Sequence, residues 1–469
     1  MNTRAALGID LGTSGVKATL LNEEGVVLAT RSCSYDVTSP HSSWAETEPR
    51  VWQQATGQAV RAVIDSSPGT DVIGVGLAGQ MHGAVLVDAR GVPTRPAVLW
   101  PDSRASAQAD SWNTLGQDAL ASLANPVTPG MAGPILAWLA ENEPDVMERS
   151  AGFVMPKDWV RSLLAGPPIG TDPSDASATL LWDVTNDGWA TELAGATGVP
   201  ARLLPGIHVS GDSCGETGEG TLGWGVPRDT PVSFGCADVA ATLLGLEAGV
   251  GRTVITLGTG AQVVLPGVAP KAVYPARHHL YRDASEGWYA MVAVTNAGLA
   301  FKRVLDLLRV DWDDLYRPYD RSADLPGFLP FFTGERLPVP LSSSQAGWFD
   351  VGLSTQREHL LAAALEGVAF AVRRAVEVMP ESDTEIDLAG GGSRSPVFTQ
   401  LLADVLGRPL RLIRNRDATV QGAARLGWRA AGHEPRAVEV PCGELVEPRP
   451  SPELETRYAR FVGALSGKA

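Results

Sequence analysis

The chain repeats itself once, at long range. Leu7-Gly8-Ile9-Asp10-Leu11-Gly12-Thr13-Ser14-Gly15 is echoed by Val254-Ile255-Thr256-Leu257-Gly258-Thr259-Gly260, and Gly258 lies 258 − 12 = 246 positions after Gly12. Further on, Val75-Gly76-Leu77-Ala78-Gly79 is echoed in the same order by Ile386-Asp387-Leu388-Ala389-Gly390. An apolar run that ends in small residues reads as a strand feeding a tight turn. Two such strands, in one order in each half, describe two copies of a single α/β unit. Leu11 and Leu77 are 66 residues apart, whereas Leu257 and Leu388 are 131 apart, so the second copy carries 131 − 66 = 65 extra residues. A chain of 469 residues has room for both units at ~100–200 residues per domain. The boundary is expected between Ala240 and Gly251, dividing the chain into 1–243 and 244–469 with a cleft between.

Local patterns fill in each unit. Ala6–Asp10, Val16–Asn22 and Val26–Arg31 read as three strands joined by the Leu11–Gly15 turn and by Glu23-Glu24-Gly25. A helix is predicted over Pro49–Asp65, with proline in its first turn, and Val72–Leu77 is the next strand. Most of these strands are continuously apolar, as in a sheet covered on both faces. Ribonuclease-H-like domains begin with such a hairpin, helix and strand. The expected fold class is therefore α/β, with two ribonuclease-H-like domains flanking an active-site cleft. His359–Met379 is apolar at helical spacing and Gln421–Ala431 is a small-residue helix.

Charge and cysteine content narrow the function. With 53 acidic against 38 basic residues the net charge is −15, which disfavours nucleic acid and anionic membranes as partners. No run approaches the ~20 apolar residues that span a bilayer. Met-Asn-Thr-Arg passes directly into a strand, so no leader peptide is predicted. Cysteines 33, 214, 236 and 442 form no C-x-x-C pair, which argues against a disulfide framework or a zinc ribbon and predicts a reducing, cytoplasmic location.

Common phosphate motifs are missing. A Walker A loop needs Gly-Lys-Ser/Thr, and the one Gly-Lys pair is Gly467-Lys468. Gly74-Val75-Gly76-Leu77-Ala78-Gly79 matches G-x-G-x-x-G, but it overlaps a strand instead of opening a helix, so a Rossmann dehydrogenase is not expected. The two Leu-Gly-Thr turns offer another device, in which backbone N–H groups and the Thr13 and Thr259 hydroxyls can approach phosphate oxygens. Asp10, at the end of the first strand, reads either as a turn cap or as a carboxylate that holds Mg²⁺ through water. Asp238, in Gly235-Cys236-Ala237-Asp238, reads either as a helix cap or as a general base. Gly390-Gly391-Gly392-Ser393-Arg394-Ser395 lies between a strand and a helix over Pro396–Leu406, where small residues leave room for a flat ring.

Taken in order along nearly the whole chain, these segments resemble the FGGY carbohydrate kinases of the actin-like ATPase superfamily. The set comprises GIDLGTSGVKATLLNEEG, GQMHG, WPDSR, MPKDW, TDPSDAS, the Asp238 turn, TLGTG, FFTGER, LEGVAFAV, AGGGSRS and QGAARLG. Gln80-Met81-His82-Gly83 with Trp100-Pro101-Asp102-Ser103-Arg104 is similar to the members that act on D-xylulose, whereas glycerol kinases carry an arginine–glutamate pair at Met81-His82. The resemblance implies transfer of a phosphoryl group from Mg-ATP to the terminal hydroxyl of D-xylulose. It implies Asp238 as the general base and Asp10 as the residue that places Mg²⁺. It places Gln80, Met81, His82, Trp100 and Asp102 at the sugar, Thr13, Gly258 and Thr259 at the phosphates, and Gly298, Gly391, Gly392 and Ser395 at the nucleotide. The expected partners are a small sugar and ATP, with no nucleic acid and no membrane. Homodimers are common in the family, although no interface signature is visible here.

Two positions depart from the pattern. Cys236-Ala237-Asp238-Val239 stands where Gly-Gly-Asp-Asn is usual, which removes a possible hydrogen bond to the sugar. Leu337-Pro338 follows the GER segment in place of Thr-Pro. The first departure motivates an alternative substrate, such as ribulose or another polyol. A sensor that binds sugar and nucleotide without catalysis is the alternative of another class, and retention of both Asp10 and Asp238 argues against it.

Overall fold

A computed structural model describes residues 3–167, 170–335, 345–383, 385–415, 417–436 and 442–465. Arg336 and Leu337-Pro338 lie outside the described residues. The first half opens with β1 (Thr3–Leu11), β2 (Gly15–Asn22), β3 (Val27–Ser34), α1 (Pro49–Asp65) and β4 (Thr70–Gly79). The predicted bounds of α1 hold to the residue, because Pro49 supplies a preset φ at N1 and Ser66 closes the helix onto the Ile64 carbonyl. Its buried stripe of Trp52, Ala55, Ala59, Val60 and Val63 packs on β2 and β3. After α2 (Pro156–Ala165) come β5 (Ser213–Glu216), β6 (Pro231–Ser233), β7 (Cys236–Ala237) and α3 (Asp238–Gly245).

The second half contributes β8 (Thr253–Leu257), β9 (Ala261–Pro266), β10 (His279–Arg282), β11 (Trp288–Val294), α4 (Gly298–Leu308), α5 (Arg357–Glu377), β12 (Ile386–Gly390), α6 (Pro396–Leu406), β13 (Leu410–Ile413), α7 (Ala418–Ala430) and β14 (Cys442–Val446). Two seven-stranded sheets result. The first runs β5-β6-β4-β1-β2-β3, with β7 also pairing β4, and the second runs β10-β11-β9-β8-β12-β13-β14.

The repeat is legible in the register. β1 pairs antiparallel with β2 and parallel with β4, bringing Leu11 opposite Gly79. β8 pairs antiparallel with β9 and parallel with β12, bringing Leu257 opposite Gly390. Beyond that, each sheet adds a parallel strand and then an antiparallel edge, β6 and β5 in the first, β13 and β14 in the second. These are the two copies of one mixed α/β unit that the echoes in the sequence describe.

The halves are sewn together by α7, which returns from the second half to lie on β1 and β4 and against α3. Here the glycines of the G-x-G-x-x-G stretch find their reason. A Cβ on Gly76 would sit 1.8 Å from the Ala423 carbonyl oxygen, and one on Gly8 would sit 2.2 Å from that of Val420. Only glycine lets the helix backbone approach the sheet so closely. Trp428, fully buried, donates its indole N–H to the Leu21 carbonyl at 3.0 Å. A split between 243 and 244 falls within α3, the helix against which α7 packs. No helix among the described residues is long and apolar enough to cross a membrane.

Candidate active site

Three parallel strands of the first sheet end side by side. Asp10 of β1 is opposite Ala78 of β4, Ala78 is opposite Cys236 of β7, and Ala237 is opposite Gly79. Asp10 and the first residue of α3, Asp238, therefore share the carboxyl ends of strands two places apart, roughly 10 Å of backbone at the usual strand spacing. That edge is where open α/β sheets place ligands. Burial, with the Asp10 charge added, pushes the Asp238 carboxyl up to about 7. Its Oδ1 accepts the Val239 N–H at 2.8 Å. Burial also pushes Asp10 up to about 6, with Lys17 pulling it back and Asp417 adding to the rise. Lys17, opposite Asp10 on β2, is held 2.8 Å from Asp417, just ahead of α7.

Side chains brace the turn after β1. Gly12 N–H donates to the Gly15 carbonyl at 3.0 Å, and the Gly12 carbonyl accepts from the Tyr35 hydroxyl and, at 3.4 Å, from Gln80 Nε2. Trp100 donates its indole N–H to Thr13 Oγ1 at 2.9 Å. Of the residues expected at the sugar, Gln80 and Trp100 thus grip this turn. His82 adopts a left-handed backbone, φ 71°, and its Nδ1–H donates to the Ala178 carbonyl at 2.7 Å. Met81 and Asp102 stand apart from these. Met81 is buried within the apolar core. Asp102 has no exposed surface, and its oxygens are taken by the Ala45 N–H at 2.7 Å and by Arg104 at 2.8 and 2.9 Å. Arg104 also pairs with Glu46 and lies 3.6 Å over the Trp44 ring. Asp102 therefore frames the wall, and Val239, at the departure from the family pattern, is buried in the core as well.

The second sheet builds a barer edge. Gly258 N–H donates to the Gly260 carbonyl at 2.8 Å, while Gly298 and Leu299, opening α4, donate to the carbonyls of Gly258 and Thr259 at 3.2 and 2.8 Å. Gly258 and Thr259 are exposed. Beside them Gly390 takes φ 93°, where a Cβ would meet the Leu257 carbonyl at 2.3 Å. Gly391 faces open space and Gly392 follows in a short helical turn. Ser395 is buried as the N-cap of α6, its oxygen accepting the Phe398 N–H at 3.2 Å. Gly258, Thr259, Gly298, Gly391 and Gly392 gather at this edge, and the Ser395 side chain is committed to the cap.

Two arrangements escaped the sequence reading. Glu335 is buried and accepts from Thr295 N–H at 3.0 and 3.1 Å and from its hydroxyl at 2.9 Å, while Asn296 donates to the Gly334 carbonyl at 2.6 Å. The Gly-Glu of FFTGER was the available signal. Behind Asp238, Lys157 Nζ lies 2.7 Å from Asp158, 3.1 Å from Asp172 and 3.2 Å from Asp175, all without exposed carboxylate surface. Burial draws the ammonium down, but the three carboxylates more than offset it and the lysine stays charged. Burial drives Asp175 well above the usual carboxylate range. The signal was the charged residues of the segments MPKDW and TDPSDAS.

A duplicated α/β fold that ends a central strand of each sheet in a small-residue turn, with two buried carboxylates raised at the first of these edges, fits a phosphoryl-transfer class of protein. The particular family follows from comparison. The model of the FGGY family of carbohydrate kinases, N-terminal domain, matches residues 5–245, and that of the C-terminal domain matches 253–431. The xylulose kinase of Escherichia coli (strain K12) is 32% identical, covering 97% of this chain and 96% of its own. A xyloylose kinase from Brucella ovis superposes with a TM-score of 0.91 at 29% identity, covering 99% of both chains. A gluconate kinase from Lactobacillus acidophilus superposes equally well, TM-score 0.91 over 99% of this chain and 98% of its own, at 19% identity, so the fold alone does not choose the sugar. The chain belongs to the FGGY family of carbohydrate kinases and is an ATP-dependent sugar kinase.

Proposed function

We propose that the sugar is D-xylulose and that its terminal hydroxyl takes the phosphoryl group of ATP, with Asp238 accepting the proton. The observation that carries this reading is the Asp238 carboxyl, raised to about 7 at the sheet edge it shares with Asp10. A base near the working pH is matched to proton transfer, and a loose phosphoryl transition state asks for that proton late. Gln80-Met81-His82-Gly83 and the xylulose kinase relatives support the choice of sugar.

The carboxylate of Asp10 accepts no hydrogen bond among the described residues, and these residues contain no cluster of three metal-ligating side chains. A single uncommitted carboxylate fits Mg²⁺, which keeps most of its waters and takes one or two protein oxygens. Asp10 would hold that ion, whose charge would offset charge on the phosphates. Thr13, with the Gly258–Thr259 turn, offers hydroxyl and backbone donors to phosphate oxygens, and the open space at Gly391 suits the adenosine. Closing the cleft would exclude water that otherwise competes with the sugar for the phosphoryl group.

The test is ADP release with Mg-ATP against D-xylulose, D- and L-ribulose, glycerol and no sugar. Greatest kcat/KM on D-xylulose is expected. Preference for another sugar keeps the kinase and replaces the substrate. Asp238→Ala should lower kcat by on the order of 10²–10⁴-fold with ATP binding retained. Normal turnover in that variant removes Asp238 from the chemistry.

A further inference from the structure

The base itself is held loosely. Its side chain accepts from the N–H of its own neighbour, Val239, so its aim depends on the backbone at Ala237–Asp238. That backbone is clamped from one side by a buried serine. The Ala237 N–H donates to Ser174 Oγ at 2.8 Å. Ser174, in the single helical turn Pro173–Ala176, gives its own proton to Asp172 Oδ2, which also takes the Ser174 N–H at 3.0 Å and the Ser210 hydroxyl at 2.8 Å. Asp172 Oδ1 faces Lys157 Nζ at 3.1 Å. Ser174 and Asp172 have no exposed surface and Lys157 has 1%.

The chemistry of these groups fixes the direction of every bond. Lysine can only donate and an ionised carboxylate can only accept. Asp172 therefore claims the one proton of Ser174, which leaves the serine lone pairs to the Ala237 N–H. A chain ordered in this way, away from water, is stiffer than its members would be singly. We propose that Ser174, aligned by Asp172 and Lys157, is a positioning residue that sets the backbone carrying Asp238 and hence the approach of the base to the sugar hydroxyl. This inference rests on the reading of Asp238 as the base. Ser210 is the built-in control, because its hydroxyl reaches the same Asp172 oxygen but not Ala237.

The experiment compares Ser174→Ala, Ser174→Thr, Ser210→Ala and Asp238→Asn in the full-length enzyme, reading kcat, the KM for sugar and ATP, ATP affinity by titration, and thermal melting. Ser174→Ala should lose on the order of 10–100-fold in kcat, the scale of a small misplacement of a reacting group, while ATP affinity stays within about twofold. Ser174→Thr, which keeps the hydroxyl, should recover most of that loss. Ser210→Ala should melt earlier but keep kcat. The proposal is overturned if Ser174→Ala turns over normally, if Ser210→Ala loses kcat equally, or if threonine is no better than alanine. Should the alanine variant not fold, Ser174→Cys replaces it, and a thiol that matches threonine in kcat overturns the proposal equally. Normal turnover in Asp238→Asn would instead sink the reading of the base. An inactive Asp238→Asn beside a fully active Ser174→Ala would sink the positioning alone.

Discussion

The two Leu-Gly-Thr turns occupy the same place in two copies of one sheet, yet they are built to different standards. The first is gripped by Tyr35, Gln80 and Trp100, and the strand feeding it carries Asp10. The second is exposed and held by backbone bonds to its own Gly260 and to the start of α4, and its strand carries Thr256 where the first has Asp10. Small residues alone suffice to make an anion nest. Aligning a reacting group requires side chains that fix it from several directions. We infer that the braced turn serves the reacting end of ATP and the bare turn serves nucleotide binding.

The largest contrast should come from Asp10 and Thr256. Asp10→Asn is expected to cut kcat by on the order of 10²–10³-fold, the usual cost of one lost electrostatic contact at a reacting phosphate or oxyanion. Thr256→Val, at the matched position, should stay within about tenfold. ADP-release kinetics on both variants decide it, and equal losses would break the asymmetry.

Next in size is a pH effect confined to the first edge. Asp238 titrates at about 7 in the folded protein against an ordinary 3.8, so the folded state holds its proton more tightly than the unfolded chain. Stability of the native enzyme therefore falls as pH rises from about 4 through 7, as the buried carboxylate is forced to ionise. Asp238→Asn removes that penalty and should be more stable than the native enzyme by on the order of 4 kcal/mol at pH 8, with the advantage gone by pH 4. Asp10→Asn should behave likewise with a smaller gain, since Asp10 rises to about 6. Thr256→Val should show no pH-dependent difference. In native enzyme the same titration should make kcat/KM for the sugar fall below about pH 7. Urea unfolding across pH, run beside the rate profile, reads both.

What the sequence makes legible follows from which forces act locally. The repeat can be read because tight turns demand glycine, and the bounds of α1 and α6 because prolines at N1 mark their starts. The reason for Gly74 and Gly76 cannot be read nearby, because the helix that crowds them arrives some 350 residues later. Asp102 looks like a sugar ligand in one dimension, and only the fold shows Arg104 and Ala45 claiming its oxygens. Ser395 similarly looks available and is spent on a cap. Lys157 and its three aspartates would pass for solvated charges until two separate stretches of chain, Lys157-Asp158 and Asp172–Asp175, are buried against each other.

A smaller contrast lies in the braces themselves. Trp100→Phe removes the donor to Thr13 and should lower kcat roughly tenfold, about 1.4 kcal/mol of barrier. Thr259→Ala, on the bare turn, should raise the KM for ATP a few-fold and leave kcat near native. Steady-state kinetics with ATP varied at saturating sugar separate the two, and a kcat loss in Thr259→Ala would merge the roles.

Tyr35→Phe should show the smallest effect. Burial holds the Tyr35 phenol well above its ordinary range, so it stays a donor to the Gly12 carbonyl at any working pH. Its loss should cost about 1 kcal/mol of stability, because Gln80 Nε2 still reaches that carbonyl at 3.4 Å and the acceptor is not orphaned. Turnover should fall only a few-fold. The informative measurement is the double variant with Trp100→Phe. If Tyr35 and Trp100 brace one rigid turn, the first substitution already releases what the second would loosen, and the combined loss in kcat should be smaller than the product of the single losses by a coupling of about 0.5–1 kcal/mol. Strict multiplication would show two independent contacts that happen to meet the same turn.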